Sequence, residues 1–197
     1  MIEPVAVIGG GRMGAGIAQV FAAASCPVSV VDTGRATLRA AHERAARGLR
    51  IAADRGDIAE EPDRVLARIQ LLPAVSEIPD RCALAIEAVP EHPGVKRDVL
   101  IAIEAAAAES CLIASNTSSL SIGGLGAALD RPGRFLGMHF FKSGSDVVTG
   151  GDHPWSRNKG RYRPAGRRLG AADREIRNRR ARLARVRLQP ARGAAWP

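Results

Sequence analysis

The sequence contains little cysteine and no long hydrophobic run. Of its 197 residues 46% are hydrophobic, but no window approaches the roughly 18 unbroken apolar residues of a transmembrane helix, so we expect no membrane partner. The apolar N-terminal region is interrupted by Glu3 and Arg12 and follows no basic leader, which argues against a signal peptide. The cysteines are widely separated in apolar stretches, which predicts reduced thiols in the core of a cytoplasmic protein and neither a disulfide framework nor a metal site. They are Cys26, Cys82 and Cys111.

Acidic residues are scarce in only one part of the chain. The formal net charge is +9, from 29 Lys and Arg against 20 Asp and Glu. Residues 1–150 contain 15 of these basic residues and 17 of the acidic ones, whereas residues 151–197 contain 14 and 3. The net charge is therefore −2 in the first region and +11 in the second, so the basic character belongs to the last 47 residues.

These last 47 residues also lack the side chains that build a core. Ala, Gly, Pro and Arg account for 30 of them, and large aliphatic residues fall below the roughly 20% typical of chains that fold. We therefore predict that residues 151–197 form a disordered, Arg-rich tail. Because this composition is typical of GC-rich DNA read out of frame, we also hypothesise that a frameshift near Gly150 or slightly earlier produced the tail. Its large aliphatic residues are Leu169, Ile176, Leu183, Val186 and Leu188.

Residues 1–150, by contrast, alternate short apolar runs with alanine-rich helical stretches. The apolar runs are typical of strands in a parallel sheet that is covered on both faces. They occupy residues 5–8, 28–31, 83–86, 112–114 and 134–138, and the helical stretches occupy 13–24, 37–53 and 95–108. Strand, helix and strand in repetition predict an α/β fold with a doubly wound (Rossmann) parallel sheet that is incomplete at its end.

A glycine-rich loop follows the first predicted strand. Residues 9–14, Gly-Gly-Gly-Arg-Met-Gly, fit the pattern G-x-G-x-x-G. The first glycine would allow a tight turn, the second would let the backbone approach a pyrophosphate, and the third would let helix and strand pack closely. The N–H groups at the start of the following helix would bind the phosphates. The loop therefore predicts a dinucleotide site, with Gly9, Gly11, Arg12, Met13 and Gly14 as cofactor-binding residues.

An acidic residue closes the second predicted strand, 18 residues after Gly14. A carboxylate at this position, Asp32, can accept hydrogen bonds from the adenosine ribose and would repel a 2′-phosphate, which favours NAD over NADP. The alternative is that Asp32 only caps a helix, since Thr33 and Gly34 follow it. Because the glycine loop lies between a strand and a helix, we favour dinucleotide binding, with NAD as the predicted cofactor.

Further motifs stand at the ends of the later predicted strands. They are Ile-Glu-Ala-Val-Pro-Glu at 86–91, Val-Lys at 95–96, Ala-Ser-Asn-Thr-Ser-Ser-Leu at 114–120 and Gly-Met-His-Phe-Phe at 137–141. With VIGGGRMGAGIAQVFA near the start, they make residues 1–150 resemble the NAD-binding domain of the 3-hydroxyacyl-CoA dehydrogenase family, which includes 3-hydroxybutyryl-CoA dehydrogenases. The resemblance implies NAD-dependent oxidation of the 3-hydroxyl of an L-3-hydroxyacyl-CoA to a 3-oxoacyl-CoA, in fatty acid or butanoate metabolism.

The resemblance also implies roles for individual residues. His139 would be the general base that takes the proton of the substrate hydroxyl, a task that suits a histidine near neutral pH. Ser118 would hydrogen-bond the same oxygen and help to fix the nicotinamide, while Asn116 would order the loop. Glu91 and Lys96 match positions that contact the cofactor. Taken without the family, the histidine could be a satisfied residue at a strand end, the serine a helix cap and the glutamate a solvated carboxylate.

The sequence departs from the family pattern after the histidine. Lys142 and Ser143 replace an Asn-Pro pair, and Gly151 stands where a glutamate should orient His139. Asp146 is either that carboxylate displaced or a loop aspartate, and we favour the loop. Beyond residue 150 the resemblance ends, and with it the helical domain through which family members complete the acyl-CoA cleft and dimerise. We therefore expect a truncated chain with impaired turnover.

Two other functions compete with this interpretation. The charge of +11 on the tail would attract phosphates in a salt-dependent way, so the chain could be an NAD-binding module with a basic arm for nucleic acid or another anion. Aromatic residues that could stack on bases are few in the tail, so we predict no specific nucleic-acid partner. They are Trp155, Tyr162 and Trp196. The other alternative is a related dehydrogenase that acts on a different small hydroxy compound.

Overall fold

The protein folds around a six-stranded parallel sheet. A computed structural model describes residues 3–143 and 146–149, so the predicted tail at 151–197 lies outside the described residues. The strands of the sheet are β1 (Val5–Ile8), β2 (Val28–Val31), β3 (Ile69–Leu72), β4 (Leu84–Glu87), β5 (Leu112–Ser115) and β6 (Phe135–Gly137). Their order is β3-β2-β1-β4-β5-β6, and all neighbours are parallel. This is the order of a doubly wound Rossmann sheet, so the predicted fold class is confirmed.

Helices connect the strands. They are α1 (Arg12–Ala23), α2 (Arg35–Asp54), α3 (Pro62–Leu66), α4 (Pro93–Ala106) and α5 (Ile122–Gly126), with short 3₁₀ turns at Val75–Glu77 and Pro132–Arg134. The three predicted helices are confirmed as α1, α2 and α4, each within two residues at either end. Proline at the first position of α4 suits a helix start, because its missing N–H would have no partner there.

The sheet buries an apolar layer on each of its faces. Val7 of β1 belongs to a buried cluster with Phe21 of α1 and Leu49 of α2. Its neighbour Ile8 points to the opposite face and belongs to a second cluster with Leu100 of α4. Successive side chains of a strand alternate between faces, so short runs of four apolar residues supply both layers.

One strand of the sheet was not predicted. β3 lies at the edge of the sheet, where it pairs only with β2 within the described residues. Its sequence, Ile-Gln-Leu-Leu, is interrupted by Gln70, whose side chain is exposed. An edge strand does not need a continuous apolar run, because it is not enclosed on both sides as the central strands are.

An antiparallel hairpin follows the sheet. Its strands are β7 (Phe140–Ser143) and β8 (Asp146–Thr149), and it lies beside α1. The ring of Phe140 packs against that of Phe21, with centroids 6.2 Å apart and planes inclined by 60°. Asp146, which we expected in a loop, is instead the first residue of β8 and pairs with Ser143. The two valines that follow it are β-branched, and such residues favour an extended strand.

The three cysteines lie in the core as predicted. All are buried and none forms a disulfide. Cys26 contributes to the cluster on the face of α1, and Cys82 and Cys111 contribute to the cluster on the face of α4. Of the helices within the described ranges, none combines the length and the apolar character that a membrane crossing requires.

Candidate functional site

The predicted site residues gather at the carboxyl edge of the sheet. The chain runs outwards from β1 to one side and from β4 to the other, so a crevice opens between the loops that follow these two strands. The start of the second loop is tied to the end of β1, because the Ala88 N–H donates to the Ile8 carbonyl at 2.7 Å. In doubly wound sheets this switch point is where ligands bind.

The glycine loop between β1 and α1 contains three glycines with different surroundings. Gly9 has a φ of +109°, and a Cβ there would lie 2.7 Å from the carbonyl oxygen of Ala88. At Gly14 a Cβ would collide with the carbonyl oxygen of Gly9. A Cβ on Gly11 would meet nothing within 4 Å. The first and last glycines are therefore required by packing, whereas Gly11 faces open space at the start of α1.

This open space fits a pyrophosphate group. Gly11 is the N-cap of α1 and has extended backbone geometry, and no side chain caps the helix. The first N–H groups of a helix have no partner within it, and together with the helix dipole they attract anions. The N–H groups of Arg12 and Met13 lie in this first turn, and Arg12 is exposed. The predicted cofactor-binding residues of the loop therefore suit a dinucleotide.

Asp32, at the end of β2, ties the glycine loop to the start of α2. Its Oδ2 accepts a hydrogen bond from the Gly10 N–H, and its Oδ1 accepts one from the Gly34 N–H, both at 2.9 Å. Gly34 is the N-cap of α2 and no side chain caps this helix, so Asp32 joins the two segments and is not the helix cap of the alternative interpretation. A carboxylate has about four acceptor positions, so the half-buried Asp32 keeps capacity for ribose hydroxyls. Arg44 of α2 also reaches this loop, with Nη1 3.5 Å from the Gly10 carbonyl oxygen.

A buried ion pair lies under the loop that follows β4. The ammonium of Lys96 is 2.7 Å from Glu87 Oε1, and the two side chains are 1% and 0% exposed. The same ammonium is 3.1 Å from Glu91 Oε2 and donates to the Val89 carbonyl at 3.2 Å. Glu87 Oε2 accepts a hydrogen bond from the hydroxyl of Ser115, which ends the neighbouring strand β5. The family resemblance pointed to Lys96 and Glu91, whereas Glu87 and Ser115 were not predicted as part of the site.

Glu91 connects this ion pair to the turn that follows β5. Its Oε1 accepts hydrogen bonds from the Thr117 hydroxyl, from the Ser118 N–H at 3.0 Å, and from the N–H and hydroxyl of Ser119 at 3.1 and 3.0 Å. Partial burial acts to raise the pKa of Glu91. The hydrogen bonds from Thr117, Lys96 and Ser119 outweigh it and lower the pKa to about 2. Glu91 is therefore ionised at neutral pH, and it fixes the turn that carries Ser118.

His139 stands in the loop after β6, between two anchored backbone groups. The Met138 N–H donates to the Ser115 carbonyl at 3.0 Å, and the Phe140 N–H donates to Asn116 Oδ1 at 2.8 Å. The half-buried histidine is thus held beside the turn after β5. Asn116 thus fixes the loop that carries His139, whereas the family resemblance implied that it orders its own loop after β5.

The residues that depart from the family pattern are ones whose side chains the structure does not describe. Lys142 and Ser143 lie in β7 and Asp146 lies in β8, while Gly151 is outside the described residues. Within residues 3–143 and 146–149, no three or more His, Cys, Asp or Glu side chains are grouped in a way that could hold a metal ion.

Comparison with known proteins agrees with this geometry. The family model described as 3-hydroxyacyl-CoA dehydrogenase, NAD binding domain, matches residues 4–145. A 3-hydroxybutyryl-CoA dehydrogenase of Mycobacterium tuberculosis is 37% identical over 142 residues, which cover 71% of this chain and 49% of that protein. A probable 3-hydroxyacyl-CoA dehydrogenase of Caenorhabditis elegans is 38% identical over 146 residues, covering 71% and 47%.

Solved structures give the same result. The crystal structure of the (S)-3-hydroxybutyryl-CoA dehydrogenase PaaH1 from Ralstonia eutropha matches with a TM-score of 0.67 at 34% identity. The match covers 72% of this chain and 50% of that one. The chain thus spans about half the length of the curated relatives it matches.

Proposed function

The chain belongs to the 3-hydroxyacyl-CoA dehydrogenase family, and we propose that it binds NAD and serves the oxidation of an L-3-hydroxyacyl-CoA to the 3-oxoacyl-CoA. The observation that carries this proposal is the meeting of three loops at one edge of the sheet. The open face of Gly11, the Ser118 turn and the anchored His139 follow β1, β5 and β6 respectively. The acyl-CoA substrate and a cytoplasmic location belong to the same proposal.

The site divides into two halves around the cofactor. We call residues 9–14 and Asp32 the adenosine half, because a loop of this kind suits a pyrophosphate and a carboxylate suits the adenosine ribose. We call Glu87, Glu91, Lys96 and residues 115–119 the nicotinamide half, since they lie across the switch point towards the histidine. NAD, when bound, supplies the acceptor for the hydride that leaves C3 of the substrate.

His139 acts as the general base in this proposal. It takes the proton from the 3-hydroxyl of the substrate, and the Ser118 hydroxyl donates a hydrogen bond to the same oxygen. Support comes from the backbone on either side of His139, which the Ser115 carbonyl and Asn116 Oδ1 already hold. A base that is positioned before the substrate arrives has less conformational freedom to lose in the reaction.

We expect turnover to be slow in this chain. Lys142 and Ser143 replace the Asn-Pro pair of the family pattern, and Gly151 replaces the glutamate that orients the histidine. In a serine protease triad, loss of the orienting carboxylate lowers the rate by roughly 10⁴-fold, because the imidazole takes the wrong tautomer. Dimerisation, which the family resemblance implies through a helical domain, stays a prediction.

Calorimetric titration with NAD⁺ and NADP⁺ tests the cofactor assignment. We expect the wild-type chain to bind NAD⁺ more tightly than NADP⁺, and Asp32→Ala to weaken NAD⁺ binding by about tenfold or more, since charge-assisted hydrogen bonds are lost. Asp32→Asn keeps an oxygen for the Gly10 N–H but removes the charge that would repel a 2′-phosphate, so the difference between the NAD⁺ and NADP⁺ affinities should become smaller. Asp54→Ala, at the exposed end of α2, is the matched control. An unchanged NAD⁺ affinity in Asp32→Ala would overturn the assignment.

Turnover of (S)-3-hydroxybutyryl-CoA, followed by NADH absorbance, tests the general base. We expect a low rate that His139→Ala reduces further, by about 10²-fold or more if the histidine is the general base. A rate that His139→Ala leaves unchanged would show that the assignment is wrong.

A further inference from the structure

We propose that Glu87 is a positioning residue, which acts on the cofactor site through Lys96, Glu91 and the turn at 117–119 without contacting the cofactor. This inference rests on the proposed function, because it concerns the nicotinamide half of the same site. It assigns a role to Glu87, which is buried beneath the loop after β4.

The donor count of Lys96 carries the first step. An ammonium has three N–H donors, and three acceptors surround this one: Glu87 Oε1 at 2.7 Å, Glu91 Oε2 at 3.1 Å and the Val89 carbonyl at 3.2 Å. The side chain is 1% exposed. All three donors are thus satisfied within the protein, and Glu87 Oε1 is the nearest of the three acceptors, so Glu87 fixes the position of the ammonium.

Glu87 is equally occupied by the protein. Its Oε1 accepts from Lys96 and from the Val89 N–H at 2.7 Å, and its Oε2 accepts from the Ser115 hydroxyl at 2.5 Å. With 0% exposure it cannot touch a ligand at the sheet edge. Its contacts instead join β4, β5 and the first turn of α4, which are the three elements from which the nicotinamide half is built.

Glu91 connects the buried ion pair to the surface of the site. It is 35% exposed, its Oε1 holds the turn at 117–119, and its Oε2 faces Lys96. Two carboxylates share one ammonium, so the cluster carries a surplus negative charge, and Glu91 is the member that reaches solvent. Its Oε2 can accept a further hydrogen bond from a ribose hydroxyl. Ser118, on the turn that Glu91 holds, is exposed.

Burying an ion pair without a functional reason is unfavourable. Taking two charges out of water costs several kcal/mol per ion in general, and apolar residues of similar volume often stabilise a core as well or better. The Glu87–Lys96 pair is placed where its hydrogen bonds fix the direction of a second carboxylate. A positioning role requires such a placement, because Glu91 itself lies in a loop, and loops are in general more mobile than the strands and helices they connect.

The experiment compares NAD⁺ with ADP on the full chain. ADP ends at its diphosphate and lacks both the nicotinamide and the second ribose, so its affinity reports on the adenosine half, whereas NAD⁺ needs both halves. In Glu87→Gln we expect NAD⁺ binding to weaken by roughly tenfold, the effect of one lost charge-assisted hydrogen bond, with ADP binding within about twofold of wild type. Ser115→Ala removes the donor to Glu87 Oε2. It should lower the ratio of the NAD⁺ affinity to the ADP affinity by a smaller factor than Glu87→Gln does.

Arg134→Gln is the matched control. Arg134 is also 1% exposed and packs against α4, but at its other end, where it donates to the carbonyls of Ala108 and Glu104 at 2.7 and 2.9 Å. It should lower the thermal stability without changing the ratio of the two affinities. Positioning is supported if Glu87→Gln changes the ratio and Arg134→Gln does not.

Two outcomes would overturn the inference, and they differ from failure of the proposed function. If Glu87→Gln and Ser115→Ala weaken both nucleotides equally, or leave both unchanged, Glu87 has only a structural role. If Glu87→Gln does not fold, Ser115→Ala decides the question by the same ratio. If the wild-type chain binds neither NAD⁺ nor ADP, the proposed function itself is wrong and the inference falls with it.

Discussion

The two halves of the site are built by different means. The adenosine half consists largely of backbone: two of its glycines are required by packing, a third leaves space, and a helix N-terminus supplies the N–H groups. The nicotinamide half consists of side chains, with a buried ion pair, a partly exposed carboxylate and a hydroxyl-rich turn. The adenosine half leaves space for a ligand because its glycines have no side chains. The nicotinamide half keeps its shape because its charged side chains are paired with one another.

Because the two halves are built differently, substitutions in them should have different effects. A substitution in the adenosine half adds atoms, so its effect depends on whether space exists at that position. A substitution in the nicotinamide half removes a partner, so its effect depends on how deeply the remaining charge is buried. The four predictions below separate these two behaviours, starting with the largest effect.

Lys96→Met should destabilise the protein most. It leaves the carboxylate of Glu87, which is 0% exposed, without its cation, and breaking a buried pair in this way typically costs about 3–5 kcal/mol. The free energy of unfolding in urea measures the effect. The double variant Lys96→Met/Glu87→Gln should recover about half of the loss or more, because no lone charge is then buried.

The neighbouring residue provides the control. Arg97 pairs with Asp98 at the surface, where the side chains are 58% and 70% exposed, so Arg97→Met should change the stability by less than about 0.5 kcal/mol. If Lys96→Met were as mild as Arg97→Met, the nicotinamide half would not depend on its buried charges, and the comparison between the halves would fail.

Two alanine substitutions sharpen the comparison within the adenosine half. Gly14→Ala would place a Cβ against the carbonyl of Gly9, so we expect a loss of about 2–3 kcal/mol in unfolding free energy, as for an overpacked core. Gly11→Ala meets nothing within 4 Å and should cost less than about 0.5 kcal/mol. The methyl group that Gly11→Ala introduces would occupy the space for the pyrophosphate, so NAD⁺ affinity should fall about tenfold or more.

Urea unfolding and calorimetry on the same samples distinguish the two glycines. The expected pattern is a stable chain with weak NAD⁺ binding for Gly11→Ala and an unstable chain for Gly14→Ala. If Gly11→Ala binds NAD⁺ like wild type, the open space beside α1 is not where the phosphates lie.

The effect of Glu91 should depend on pH. Its pKa is lowered to about 2 in the folded protein from an ordinary value of 4.5, so its stabilising contribution is complete above pH 4.5 and is lost as pH falls towards 2. The side chain is 35% exposed, and solvent screening reduces the contribution to about 1 kcal/mol. Glu91→Gln should therefore be less stable than wild type by this amount at pH 7 and equally stable near pH 2.

Unfolding curves at several pH values check this prediction. A stability difference between Glu91→Gln and wild type that stays constant from pH 7 to pH 2 would mean that the charge of Glu91 plays no part. The turn at 117–119 would then be held by neutral hydrogen bonds alone.

The same contrast explains what could be predicted from the sequence. The adenosine half follows from residues that are close in the chain, because a strand, a glycine pattern and a closing aspartate each have a local signature. Helices α1, α2 and α4 were found for a similar reason. The edge strand β3 was missed because Gln70 interrupts its apolar pattern, and the start of β8 at Asp146 was missed because the aspartate was judged without its strand partner.

The nicotinamide half could be predicted only in part. Family resemblance indicated Glu91, Lys96 and Ser118, but nothing local distinguishes Glu87 from any carboxylate at the end of an apolar strand. Its role depends on the register in which Glu87 of β4 lies opposite Ser115 of β5, 28 residues away. A buried charge is recognisable only once its partners are known, since unpaired it would not be buried at all.

Arg44→Ala should have the smallest effect, and it tests whether the adenosine half depends on side chains at all. Arg44 Nη1 lies 3.5 Å from the Gly10 carbonyl oxygen, too far to contribute much stability, so the unfolding free energy should change by less than about 0.5 kcal/mol. Its charge lies beside the proposed pyrophosphate site, so the binding of NAD⁺ and of ADP should weaken, each by about two- to threefold. This loss should shrink at high salt. Arg47→Ala, exposed on the same helix, is the control. A loss of NAD⁺ affinity above about tenfold would show that this half, too, relies on a charged side chain.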